Sequence, residues 1–210
     1  MLQRRQRKAR VDGRRARGED NRRKIVDALL SLVATGMVSP GAEDVADKAG
    51  VGLRTVFRHF ADMDGLYAEM SERMRAEILP AMARPFRSTG WRERLRELAD
   101  RRADVFERGL PFKIAGDARR QGSPFLTTQH EAFVKMQRDT LRSILPPKVD
   151  HALFEALDLA LCFDSWRRLR IDQGLSPRDA RAAVRLAVDA LTSAVADAQQ
   201  RYPKTRFTST

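Results

Sequence analysis

Three histidines, His59, His130 and His151, and one cysteine, Cys162, are the side chains here most able to act as nucleophile, general base or soft metal ligand. They lie far apart in sequence, without an HExxH pair, a GxSxG elbow, a glycine-rich phosphate loop or Cys/His ligand spacing. No catalytic residue, metal site or cofactor is expected, and an enzyme would need a site assembled only by the fold. A single cysteine forms no internal disulfide, which suits a reducing compartment, and its place in the largely apolar run 157–163 suits an inert core thiol. Cations are the chemistry left over, with 40 Lys and Arg against 28 Asp and Glu. Guanidinium and ammonium groups in that excess suit phosphates and the edges of bases.

The excess is localised. Residues 1–24 hold eleven Lys or Arg, among them Arg14, Arg15, Arg17 and Lys24, and three acids, which is eight of the twelve net positive charges. Residues 1–20 have almost no apolar side chains and no periodicity, so they are expected to form a disordered basic arm able to neutralise phosphates or enter a minor groove. The alternative is a solubilising tail. From Asn21 to Met70 six cations face seven acids, so the electrostatic share of nucleic-acid binding falls to the arm.

Helical periodicity governs the rest. Ile25, Ala28, Leu29, Leu32 and Val33 form one stripe that Gly36 ends. Ser39-Pro40 opens a short helix to about Ala49, Gly50-Val51-Gly52 turns the chain, and a third helix covers Leu53 to His59. Asp62 caps a fourth, with Pro80 at or after its end. Further helices are expected over 91–108, 111–119, 123–145, 148–173 and 176–201, two of them opened by Ser-Pro. No segment alternates as a strand, so the class is all-α with about nine helices. The longest uncharged run, Ala28 to Ala42, is fifteen residues, short of the roughly 18–20 that span a bilayer. Asp27 and the helical pattern through it argue against a secretory signal, and a cytoplasmic protein is expected.

Helix, short helix, glycine turn and short helix form the helix-turn-helix plan, in which Val45, Ala46, Val51, Val56 and Phe60 make a small core that holds the third helix out towards a major groove. The stretch DVADKAGVGLRTVFRHFADMDGL, Asp44 to Leu66, resembles the DNA-binding domain of the tetracycline-repressor (TetR) family of bacterial transcriptional regulators. The resemblance implies a DNA-binding domain over 21–66 after the arm 1–20, a helical effector-binding and dimerising domain over 67–201, and a polar tail over 202–210. It implies that Arg54, Thr55 and Phe57 contact bases and phosphates and that His59 contacts the backbone; Arg58 joins them by its charge. Arg54 can read guanine through O6 and N7. His59, at a helix C-terminus, is expected to favour the cation.

Three positions depart from the family pattern. Phe57 stands where Tyr is usual, Met63 where a Lys is usual, and Gly52 where a capping Ser is usual. Each removes a phosphate contact, and the basic arm is the feature able to compensate.

In the remaining chain Ala183, Ala187, Ala190, Ala194 and Ala198 let the last helix approach another closely, with Val184, Leu191 and Val195 beside them. The family's final two helices commonly form a four-helix dimer interface, so a homodimer on a double-stranded DNA operator is implied; packing within one subunit is the alternative. Phe106, Phe112, Phe133, Met136, Phe163 and Trp166 are the expected lining of an apolar cavity for a small-molecule effector, or simply core. Asp104, Glu107 and Asp164 could offer charge to a cationic effector. The resemblance implies a repressor released by its effector; an effector-independent or architectural DNA-binding protein is the other reading.

Overall fold

The structure, a computed structural model, describes the backbone of residues 2–201 and the side chains of residues 17–193. Among these residues the elements are α1 (Leu2–Ala34), α2 (Ala42–Ala49), α3 (Leu53–His59), α4 (Met63–Met82), α5 (Trp91–Arg120), α6 (Pro124–Ile144), α7 (His151–Leu161), α8 (Phe163–Arg167), a π-helical turn (Arg168–Asp172) and α9 (Pro177–Arg201), with no strand. The all-α class is as expected. The basic segment differs: α1 begins at Leu2, so helical backbone replaces the disordered arm. Arg, Gln, Lys and Ala dominate that segment, and all are strong helix formers; counting its missing apolar side chains leaves this preference out. The side chains of Arg14 and Arg15 lie outside the described residues, as do those of Ala194, Val195 and Ala198 and the tail 202–210.

The chain divides into two compact units, Met1–Ile78 with Gly109–His130, and Leu79–Arg108 with Glu131–Thr210. In the first, Ile25, Val26, Leu29 and Val33 of α1 pack with Val45 and Ala46 of α2, Val56 of α3, Phe60, and Leu66, Tyr67 and Met70 of α4. Ala115 of α5 and Leu126 of α6 complete this core. The unit therefore extends beyond the 21–66 segment. Arg73 of α4 pairs with Asp27 of α1, and Arg119 of α5 lies 4.8 Å over the Tyr67 ring.

Two boundaries differ from the periodicity. α2 starts at Ala42 rather than Pro40, because the Asp44 carboxylate accepts the Gly41 N–H at 2.7 Å while the Pro40 carbonyl accepts from the Tyr67 hydroxyl at 3.3 Å. α5 runs unbroken through Gly109 and Pro111. A Cβ at Gly109 would come within 3.3 Å of Ile78 Cδ1, so this glycine serves a close approach between α5 and α4 and does not end a helix. Burial of Leu110 and Ala115 supports the backbone across the bond that Pro111 cannot make.

In the second unit an antiparallel set of ion pairs joins α5 and α9: Arg96 with Asp189 at 2.7 Å, Asp100 with Arg185, and Asp104 with Arg181. Each step moves one turn along both helices. Arg138 of α6 takes both Glu155 and Asp158 of α7, at 2.7 and 2.6 Å.

The segment 148–173, expected as one helix, is three pieces. Asp150 caps α7 by accepting from the N–H groups of Ala152 and Leu153, and Cys162 adopts extended backbone between α7 and α8. Cys162 is therefore not a mid-helix core thiol; its Sγ accepts the Ser165 N–H at 3.4 Å and caps α8. The carbonyls freed at the break find side-chain donors. Ser165 Oγ donates to the Leu159 carbonyl, and Arg102 Nη1 donates to the Leu161 carbonyl at 2.9 Å.

Arg102 is 1% exposed, and its Nη2 donates to the Gln137 carbonyl at 2.6 Å. Burial pulls its guanidinium down to about 10, against a smaller opposing pull from Asp158. Removing a buried charge can help a core, but here the Leu161 carbonyl at the end of α7 stays behind without a donor, and that penalty wins. Arg102→Met, similar in volume but without donors, is expected to cost about 1–3 kcal/mol, seen as a lower urea midpoint with native far-UV helicity in buffer.

Candidate nucleic-acid interface

α3 has seven residues, too few for a stable helix on its own, so its neighbours must hold it. Gly50 turns the chain with φ +65°, a left-handed conformation that suits glycine, and the Val51 N–H donates to the Ala46 carbonyl at 3.0 Å. Gly52 begins α3 with no side-chain cap; its carbonyl accepts the Thr55 N–H at 2.7 Å. Val56 and Phe60 then anchor the segment, 1% and 4% exposed.

That anchoring sets which side chains face out. With about 100° per residue, Arg54 and Arg58 lie opposite Val56, Leu53 and Phe57 form one flank, and Thr55 the other. The burial pattern agrees: Leu53, Arg54, Phe57 and Arg58 are exposed, and Thr55 and His59 are half-buried. Arg54 and Arg58 are one turn apart and have no ion-pair partner among the described residues. Like charges at this spacing repel, and an anionic or base-edge partner relieves them.

Sequence reasoning passed over the residue that holds the far end of α3. Arg22 of α1 donates from Nη1 to the His59 carbonyl at 2.7 Å, pairs through Nη2 with Glu69 of α4, and lies 4.3 Å over the Phe60 ring. One guanidinium thus ties α1, the end of α3 and α4. The sequence does mark it, since Arg22 continues the inward stripe one turn before Ile25 and Val26.

The expectation of a cationic His59 is corrected. Burial, then the charges of Arg58 and Arg22, hold its imidazole below the ordinary value, and Nε2 is buried without a partner. The helix-terminal carbonyl that would have favoured a cation is already taken by Arg22. Lys24 is paired with Asp20 at 2.8 Å, an exposed and exchangeable contact; Lys24 and then Arg23 hold that carboxyl below its usual range. Arg17 is exposed and engaged in an interaction of its own.

Of the expected effector-pocket residues, Phe106, Phe133 and Phe163 come together in the second unit. Phe106 meets Phe133 at 6.4 Å and Phe163 at 5.6 Å between centroids, edge to face. Trp166 is buried and donates to Glu107 at 3.1 Å, and Met136 is half-buried. Phe112 does not join them, because it packs against the core of the first unit. Glu107 is held by Arg170 at 2.8 Å, a bond that is the main reason its carboxyl lies below the usual range, while Asp104 is held by Arg181 and Asp164 is exposed. Neither Glu107 nor Asp104 is left as a free charge.

His59 links this interface to pH. Its folded value lies below the ordinary 6.5, so its contribution to stability is complete above about pH 6.5 and is lost as pH falls through the folded value. Urea denaturation between pH 7.5 and 5 is expected to show stability falling, with a smaller fall in His59→Gln.

Among the described residues no helix is long and apolar enough to cross a membrane. No protein-family model and no curated protein matches the chain. Solved structures do. A transcriptional regulator from Rhodococcus sp. RHA1 is 16% identical, with a TM-score of 0.63 over 84% of this chain and 96% of that one. A TetR transcriptional regulator from the same organism is 17% identical, with a TM-score of 0.53 over 83% and 96%. The chain therefore has the all-α fold of these two transcriptional regulators, one of them described as a TetR regulator.

Proposed function

We propose that this chain is a TetR-family transcriptional regulator that binds a palindromic DNA operator as a homodimer and is released by a small-molecule effector, acting as a repressor in the bacterial cytoplasm. The observation that carries the reading is the outward face of α3, where Arg54, Arg58 and Phe57 are exposed by the burial of Val56 and Phe60. Two likenesses of fold support it, both to proteins described as transcriptional regulators. A regulator of this kind is not an enzyme.

On the operator, Arg54 and Arg58 meet base edges and phosphates, and Thr55, His59 and Lys24 add contacts to the backbone. The basic start of α1, with Arg14, Arg15 and Arg17, supplies the wider electrostatic attraction that the nearly neutral head lacks. A two-fold dimer presents two copies of α3 to half-sites about one DNA turn, roughly 34–36 Å, apart. Support for dimerisation comes from Leu159 of α7 and Leu186 of α9, two large apolar side chains left 68% and 71% exposed on the helices the family uses for it. The aromatic cluster of Phe106, Phe133 and Phe163, with Trp166 and Met136, is the part of the second unit suited to an apolar effector. An effector that prefers one conformer by about 1–3 kcal/mol changes DNA affinity about 5- to 150-fold.

The test is selection of duplexes from a random pool by the full chain, followed by mobility-shift titration of the winner and of the region upstream of the gene. Enrichment of one palindrome is expected, and sequence-indifferent binding would instead support an architectural protein. Arg54→Ala is expected to weaken the selected site about tenfold or more, the worth of one bidentate base contact, and to relax preference at one position of each half-site. Deleting residues 1–20 is expected to lower affinity for all sequences and to flatten its dependence on salt; an unchanged salt slope removes the basic segment from the interface.

A further inference from the structure

α3 exposes two large apolar side chains that stability does not explain. Leu53 is 39% and Phe57 48% exposed, one turn apart on the same flank of the helix, beside the unpaired Arg54 and Arg58. The head has its own closed core, to which neither contributes among the buried residues. An apolar protein partner or a lipid surface would have to desolvate the two guanidinium groups next to this stripe. A major groove removes that difficulty, because it offers anionic phosphates and guanine edges to the arginines and one apolar group, the thymine 5-methyl, to the stripe.

We infer that Leu53 and Phe57 form an apolar reading edge for thymine methyl groups, so that each operator half-site holds thymine next to the bases addressed by Arg54 and Arg58. The inference rests on the DNA-binding reading above and gives Phe57 a different task from the phosphate contact that a tyrosine would make there. A benzyl ring has no donor for a phosphate oxygen, and packing it against one strips water from the anion with nothing in return. Against a methyl group the same ring buries apolar surface on both sides. Four residues of helix advance about 6 Å, and base pairs follow each other about every 3.4 Å. The two side chains therefore address thymines no more than about two steps apart.

The experiment removes the methyl and leaves the protein intact. In the operator selected by the full chain, each thymine of a half-site is replaced in turn by deoxyuridine and affinity is measured. At one or two neighbouring positions a loss of about three- to fivefold per methyl is expected, the worth of one buried methyl group. The same replacement is expected to cost nothing further in Phe57→Ala or Leu53→Ala, since the partner is already gone. If every deoxyuridine operator binds as tightly as the parent, or the half-site holds no thymine, the inference is overturned while the DNA-binding reading stands. If Phe57→Tyr tightens binding equally on all sequences, the ring lies on a phosphate and the inference is likewise overturned. If no duplex is enriched at all, it is the underlying DNA-binding reading that fails.

Discussion

Burial of Val56 and Phe60 is the constraint on which the interface depends. A seven-residue helix with a glycine cap has little stability of its own, so the head's core supplies it and, in doing so, sets its rotation. Turning α3 by two residues, about 200°, would bury Arg54 or Arg58 and expose Val56. The penalty for an unpaired buried guanidinium makes that arrangement inaccessible. Specific chemistry outward is thus enforced by unspecific chemistry inward, and Arg22 closes the arrangement at the helix end.

Much of the head was legible because its signals are local. The bounds of α3 and the turn at Gly50 follow from a left-handed glycine and backbone hydrogen bonds within a few residues, and the Ser-Pro starts at Ser123 and Ser176 from a hydroxyl that accepts an N–H three residues on. What was missed depends on groups distant in sequence. Gly109 reads as a stop until Ile78 is seen against it, and Pro40 reads as a helix start until Asp44 and Tyr67 take the neighbouring backbone groups. The break at Cys162 is capped locally by Cys162 and Ser165, but the Leu161 carbonyl is satisfied only from 59 residues away, by Arg102. The rotation of α3 can be read from periodicity, and Arg22 is marked by its register with the inward stripe but not by its residue type among ten other cations in the first 24 residues.

The second unit handles buried polarity with side chains where ordinary helices use backbone. Its deeply buried guanidinium, Arg102, bonds carbonyls and no carboxylate, while the acids nearby are engaged with other arginines: Asp158 with Arg138, Glu107 with Arg170. Charge that looked available to an effector is consumed by the fold. The aromatic cluster on which the proposed effector reading rests sits on α5, α6 and α8.

The ladder between α5 and α9 has one further property. Its order, Arg, Asp, Asp along α5 against Asp, Arg, Arg along α9, is not a uniform pattern of opposite signs. Slide α9 one turn in one direction and Asp100 meets Asp189; slide it the other way and Arg96 meets Arg185. The observed alignment is therefore the one in which all three rungs carry opposite signs. A motion that tilts or rotates the two helices together keeps all three pairs, whereas a one-turn axial slip gives up part of the ladder.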